Sequence, residues 1–86
     1  MRPIFVLIKC ELGKTYTVAN ALVDELEHTP EVFSISGNYD LLAKFWLPDD
    51  VNVGRFVCDE VQTIAGIKDT STIIAFKCFT EDDFAS

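Results

Sequence analysis

Basic side chains are scarce in this sequence: 7 lysines and arginines stand against 14 aspartates and glutamates, a formal net charge of −7 over 86 residues. A domain this acidic repels phosphate backbones, so direct nucleic-acid binding is excluded as its own activity. Long apolar runs are also missing. None approaches the ~18 residues a membrane-spanning helix needs, and Met1-Arg2-Pro3 leads straight into an alternating segment with no charged region ahead of a removable one. A soluble cytoplasmic protein is expected. Histidine occurs once, at His28, so the usual zinc and triad sets cannot be completed, and its place near the end of an expected helix is explained by the helix dipole. The three cysteines, Cys10, Cys58 and Cys78, form no C-x-x-C pair and are odd in number, which argues against a disulfide framework; they are expected to be small buried hydrophobes. No metal or cofactor is implied.

Apolar side chains, by contrast, are plentiful: 49% of the residues, with seven phenylalanines. One domain of this size cannot hide all of them within itself, which implies a partner surface.

The apolar periodicity divides the chain into six elements. Ile4 to Cys10 alternates with apolar residues on both faces, as a central strand covered on both sides does. From about Tyr16 to His28 the period is helical, with Val18, Leu22 and Leu26 in line, Thr15 or Thr17 as the cap, and Thr29-Pro30 as the stop. Glu31 to Ser36 and Tyr39 to Leu47 read as a second and third strand. The third is again apolar on both faces. Val51 to Ile64 carries a stripe of Val53, Phe56, Val57, Val61 and Ile64, with Asp50 or Asn52 as its cap and Gly66 just beyond its end. Thr70 to Phe79 is the last strand. Residues 1–79 thus form one domain, and 80–86 form an acidic tail in which only Phe84 is able to dock.

Strand, helix, strand, strand, helix, strand is the split βαβ order of an α+β, ferredoxin-like fold, a four-stranded antiparallel sheet with two helices on one face. Right-handed crossovers put the first and third strands in the centre and the second and fourth at the edges. The helices cover one face only, so the other, also apolar, is expected to meet the sheet of a second identical chain, giving an obligate dimer. The first and third strands are taken to run parallel, which sets the starts of the third and fourth strands at opposite ends of the sheet. A pocket shared by those starts would then lie between subunits.

Gly37-Asn38 reads as a two-residue hairpin turn. Its surroundings, Ser36 to Asp40, combine backbone N–H groups, an aromatic ring and a carboxylate. They can hold a small zwitterion, or they can serve only as a turn, with Asp40 capping it or pairing with a lysine. Thr70 and Thr72 are good strand residues whatever else they do.

Gly37-Asn38-Tyr39-Asp40-Leu41-Leu42, followed by Ile64-Ala65-Gly66-Ile67-Lys68-Asp69-Thr70-Ser71-Thr72-Ile73-Ile74, resembles the effector-binding domain (RAM, regulation of amino acid metabolism) of the Lrp/AsnC transcriptional regulators. Pro30-Glu31-Val32 resembles the family's helix exit. The resemblance spans about Phe5 to Phe79 and implies a dimeric α/β-barrel-type assembly that builds into rings of dimers and binds a free amino acid as effector. On that likeness the ligand-binding residues are Gly37, Asn38, Tyr39, Asp40, Thr70 and Thr72. Backbone N–H groups of the loop would receive the α-carboxylate, Asp40 the α-ammonium, and the two threonine hydroxyls would stand at the rim. Family regulators usually carry an N-terminal helix-turn-helix domain, whereas here the first strand begins near residue 4, so a stand-alone sensing domain is expected, acting with itself or with full-length regulators of the family.

Two other classes remain. A structural domain that heteromerises and binds nothing small would use the same hairpin for subunit contacts. A dimeric α/β-barrel enzyme is disfavoured, because the expected sheet faces offer no histidine or arginine and no nucleophile beside a base.

Overall fold

The structure is a computed structural model and describes residues 1–84. Its elements are β1 (Arg2–Cys10), α1 (Thr15–Glu25), β2 (Glu31–Ser34), β3 (Leu41–Leu47), α2 (Val53–Phe56) continued by a π turn (Val57–Val61), and β4 (Ile67–Ile74), with a short 3₁₀ turn at Glu81–Asp83. The sheet order is β2-β3-β1-β4 with every neighbouring pair antiparallel. The two strands apolar on both faces are therefore the central ones. This is the α+β, ferredoxin-like arrangement expected.

Burial follows the period of two. Ile4, Val6 and Ile8 on β1 and Ala43, Phe45 and Leu47 on β3 are fully buried under the helices, where they meet Val18 and Leu22 of α1 and Phe56, Val57 and Val61 of the second helical segment. Phe45 and Phe56 pack edge to face at 5.0 Å. Burying each such side chain contributes about 1.5–3 kcal/mol. The intervening residues Phe5, Leu7, Leu42 and Trp46 are only half-buried, and Phe33 and Ile73 are exposed, so among the described residues no helix covers the opposite face. That face is apolar apart from Lys44, whose ammonium lies over the Phe5 and Trp46 rings and 3.9 Å from Glu31.

Several boundaries differ from expectation, each for a tertiary reason. α1 stops at Glu25, and Leu26 is already extended. His28 and Thr29 then turn through positive φ (73° and 53°), which lets the His28 carbonyl accept the Trp46 N–H at 3.0 Å and sets the imidazole edge-on to Phe56 at 5.4 Å. His28 is thus a packing residue past the helix, not a residue on its dipole. The N-cap is Lys14, with no side-chain cap, and Thr15 is the first helical residue. Asn52 does cap α2, its Oδ1 accepting the Arg55 N–H at 3.0 Å. β-Branched Val53, Val57 and Val61 with Gly54 are weak helix formers, and the segment ends in a wide turn in which Gln62 N–H donates to the Val57 carbonyl at 2.8 Å. β4 ends at Ile74, because the register would next set Ala75 against Pro3, which has no N–H to give. Of the cysteines only Cys10 is buried; Cys58 and Cys78 are exposed.

Candidate functional site

The loop between β2 and β3 is wider than the two-residue turn expected. The last ladder pair is Ser34 with Leu41, and the Ile35 N–H donates to the Asp40 carbonyl at 3.0 Å, leaving Ser36 to Tyr39 as a four-residue connection. Gly37 alone in it takes a positive φ, of 110°. The cause is Asp40, which is clamped to β1 instead of closing the turn. Its N–H donates to the Ile8 carbonyl at 2.9 Å, and its carboxylate Oδ2 accepts the Cys10 N–H at 2.8 Å. Lys9 Nζ stands 4.0 Å from the same oxygen. Among the described residues, the backbone N–H groups of Gly37, Asn38 and Tyr39 have no hydrogen-bond partner within the chain.

Asp40 and Thr70 lie at the same end of the sheet, which corrects the expectation of opposite ends. Ile8 sits opposite Leu41 on one side and opposite Thr70 on the other. The crossover through α1 makes β2 parallel to β1, and the hairpin then reverses β3, so β3 and β4 both start where β1 finishes. Strand geometry therefore does not force a shared pocket to lie between subunits. The two groups are nonetheless on different faces. Asp40 pairs with Lys9, whereas Thr70 Oγ1 accepts from Gln62 Nε2 at 2.8 Å on the helix side.

Two clefts result. One, of about 230 Å³, is walled by Lys9, Glu11, Thr15, Asp40 and Lys68 with Cys10 and Leu12. The other, of about 290 Å³, is walled by Gln62, Ile67, Lys68, Asp69 and Thr70. Lys68 borders both. Of the residues expected to bind ligand, Asp40 lines the first cleft and Thr70 the second, while Gly37, Asn38, Tyr39 and Thr72 line neither. Sequence reasoning missed Lys9, Glu11, Thr15, Lys68 and Gln62. Lys9, a charge interrupting the otherwise apolar face of Phe5 and Leu7, was the available signal.

The first cleft holds two ammonium and two carboxylate groups beside a hydroxyl, a balanced set that suits a zwitterion. Burial pushes the Cys10 thiol above its ordinary range; the Thr15 hydrogen bond opposes this, the Asp40 charge adds to it, and Lys9 again opposes it. A thiol shifted in this direction is a weaker nucleophile than an exposed one. Gly66, at φ 100°, brings the start of β4 against α1: its carbonyl accepts the Glu11 N–H at 2.7 Å, and a Cβ there would stand 2.9 Å from Val18 Cγ2. Among the described residues, no group of three or more histidines, cysteines and carboxylates could hold a metal ion, and no helix is long and apolar enough to cross a membrane.

Comparison with known proteins bears on what this end of the sheet does. The family profile of the Lrp/AsnC ligand binding domain matches residues 4–83. Among solved structures, protein TTHA0845 of Thermus thermophilus is 30% identical, with 93% of this chain and 99% of that one covered and a TM-score of 0.83. The hypothetical protein PHS023 of Pyrococcus horikoshii is 26% identical over 90% and 92% of the two chains, with a TM-score of 0.77. The transcriptional regulator NMB0573 of Neisseria meningitidis, solved as a complex with L-Met, shares the fold at 18% identity and a TM-score of 0.74; 88% of this chain matches 50% of that one. A search of curated proteins found no match.

Proposed function

Since the chain belongs to the family of Lrp/AsnC ligand-binding domains, we propose that it is an amino-acid-sensing and assembly module whose effector binds at the end of the sheet where β1 finishes and β3 and β4 begin. The observation that carries this reading is the balanced set of charges around Asp40; the N–H groups of Gly37, Asn38 and Tyr39, without a partner among the described residues, belong to the loop that leads into Asp40 and lie outside that cleft. On this reading Asp40 takes the α-ammonium, the N–H groups of Gly37, Asn38 and Tyr39 receive the α-carboxylate, and Thr70 and Thr72, on an edge strand, complete the rim from a neighbouring subunit. Each hydrogen bond to a charged group contributes about 1.5–3 kcal/mol, so several must act together on so small a ligand. The Neisseria regulator's L-Met complex supports the ligand class.

Assembly follows from the open sheet face. Phe5, Leu7, Phe33, Leu42, Trp46 and Ile73 together make an apolar surface that a second copy covers best across a two-fold axis. Dimers then build into rings, alone or with full-length regulators of the family, and a ligand bridging two chains shifts that assembly by its preference for the assembled state. Three cysteines outside any disulfide fit a reducing, cytoplasmic setting.

Titration calorimetry with a panel of free amino acids, on the wild type and on Asp40→Asn, tests the site. The amide oxygen can still accept the Cys10 N–H while the charge is lost, so binding heat with one amino acid that vanishes in the variant supports the site, and no heat with any amino acid refutes it. A second reading, a structural domain that pairs with other subunits and binds nothing small, is favoured by the fact that Asp40 and Thr70 already have partners in the chain.

A further inference from the structure

Beyond Ile74 the chain leaves the sheet. We propose that residues 75–84 form an arm with which one copy grips the open sheet face of a second copy, Phe76 and Phe79 being the anchors; this rests on the dimer proposed above and specifies how it is held.

Four observations carry it. First, the molecule is too long for its chain: the radius of gyration is 14.0 Å and the extents are 50 × 30 × 19 Å, whereas a compact domain of this length has a radius of about 12 Å. Second, the arm holds large apolar groups away from any cover. Phe76 is 100% exposed, Phe79 64% and Phe84 75%. A chain that charges itself this hydration cost in three aromatic rings has a surface waiting for them. Third, the arm's polar bonds run within it, although Ala75 to Cys78 share a cleft of about 220 Å³ with Met1, Arg2, Pro3 and Trp46 of the domain. Thr80 and Asp83 form a reciprocal capping box, Lys77 Nζ lies 3.1 Å from Asp83 Oδ1, and the Phe79 and Phe84 rings stack at 5.7 Å. Among the described residues, no hydrogen bond or ion pair joins 76–84 to 1–74. A pre-shaped segment loses less conformational entropy on docking than a disordered one.

Fourth, the arm adds area that a dimer can use: Phe76 and Phe79 offer on the order of 300 Å² between them, a substantial share of the ~800 Å² per partner that a stable dimer buries. A second copy is the occupant these features favour, because the arm and the uncovered face belong to the same chain and reciprocate about a two-fold axis. With a net charge of −7 on each copy, apolar contact must outweigh like-charge repulsion, and the aromatic arm supplies that contact.

The test is sedimentation equilibrium on the wild type and on Phe76→Ser, Phe79→Ser and the double variant, with circular dichroism to confirm that each is folded. Neither side chain touches the core, so folding is expected to be unchanged. The arm predicts a wild-type dimer whose dissociation constant rises by about 100-fold or more in the double variant, together with faster alkylation of Cys78 in the variant than in the wild type, Cys58 being the exposed reference. A wild-type dimer whose affinity is the same in all three variants overturns the arm and leaves the sheet-face dimer standing. A monomeric wild type at micromolar concentration overturns both. A dimer weakened by the substitutions in which Cys78 reacts at one rate throughout also counts against the arm, because it places the aromatic rings elsewhere than in the interface.

Discussion

Replacing Gly66 by alanine is expected to damage the domain far more than the same change at Gly37, although both glycines have a similar positive φ. Gly66 has φ 100° and Gly37 φ 110°, both in the region that side chains of L residues rarely adopt. A residue held there stores strain of order 1–3 kcal/mol, which both variants incur. The difference lies in what the new methyl group meets. At Gly37 there is nothing within 4 Å, whereas at Gly66 the methyl would lie 2.9 Å from Val18 Cγ2 and 3.2 Å from Lys14 Cβ. Val18 is fully buried and cannot swing away, so overpacking adds about 1–3 kcal/mol. Gly66→Ala should therefore cost about 2–6 kcal/mol and Gly37→Ala about 1–3 kcal/mol, against a total stability of about 5–15 kcal/mol for a small domain. Each kcal/mol lowers the Tm by about 4–8 °C at this size. Thermal unfolding of both variants at one protein concentration, held fixed because assembly contributes to stability, measures the gap. Equal losses would refute the argument that the approach of β4 to α1 at Gly66 is what demands glycine there.

Asp40→Ala, which removes the acceptor of the Cys10 N–H at 2.8 Å, should destabilise the fold by about 1–3 kcal/mol more than Asp40→Asn does, as read by urea unfolding. At pH 8, Cys58 should react quickly with a maleimide, while Cys10, buried and with its thiol pushed above the ordinary range, reacts only on unfolding; mass spectrometry of partly labelled protein tests this. The Thr80 backbone hydrogen bond and then Lys77 hold the Asp83 carboxyl below its ordinary range. Because that value is depressed by folding, the stabilisation of the arm's cap is present above the ordinary aspartate value of about 3.9 and is lost as pH falls through the depressed one. The Lys77 and Thr80 amide signals should move with this titration, and in Asp83→Asn they should not. Phe45→Ala, at a fully buried ring packed against Phe56, should cost about 3–5 kcal/mol in the same unfolding assay.

The architecture was legible because β1 and β3 carry apolar residues on both faces, a pattern only central strands sustain, and because the helical stripes of Val18 and Leu22 and of Phe56, Val57 and Val61 have a period no strand shares. What escaped was set by contacts distant in sequence. The clamp of Asp40 on Ile8 and Cys10 opens the loop that Gly37-Asn38 would otherwise close in two residues. The left-handed turn at His28 and Thr29 ends α1 early, because the His28 carbonyl and ring are wanted by Trp46 and Phe56. The direction of β3 was misread, although the crossover followed by a hairpin determines it, and that error separated Asp40 from Thr70. At the site, Asp40 and Thr70 stood out by motif, whereas Lys9, Glu11 and Lys68 come together only through the antiparallel register and the turn before α1, which leave no periodic mark. Cys58 and Cys78 were expected inside because cysteine usually is, yet one lies on the outer side of the second helical segment and the other in the arm.

The central claim is that a free amino acid binds at the sheet end and alters assembly. Light scattering after size exclusion, run with and without each amino acid of a panel, tests it most directly. The account predicts an assembly of at least two chains whose mass shifts with one or a few amino acids and keeps its ligand-free mass in Asp40→Asn. An assembly of unchanged mass with every amino acid would contradict it.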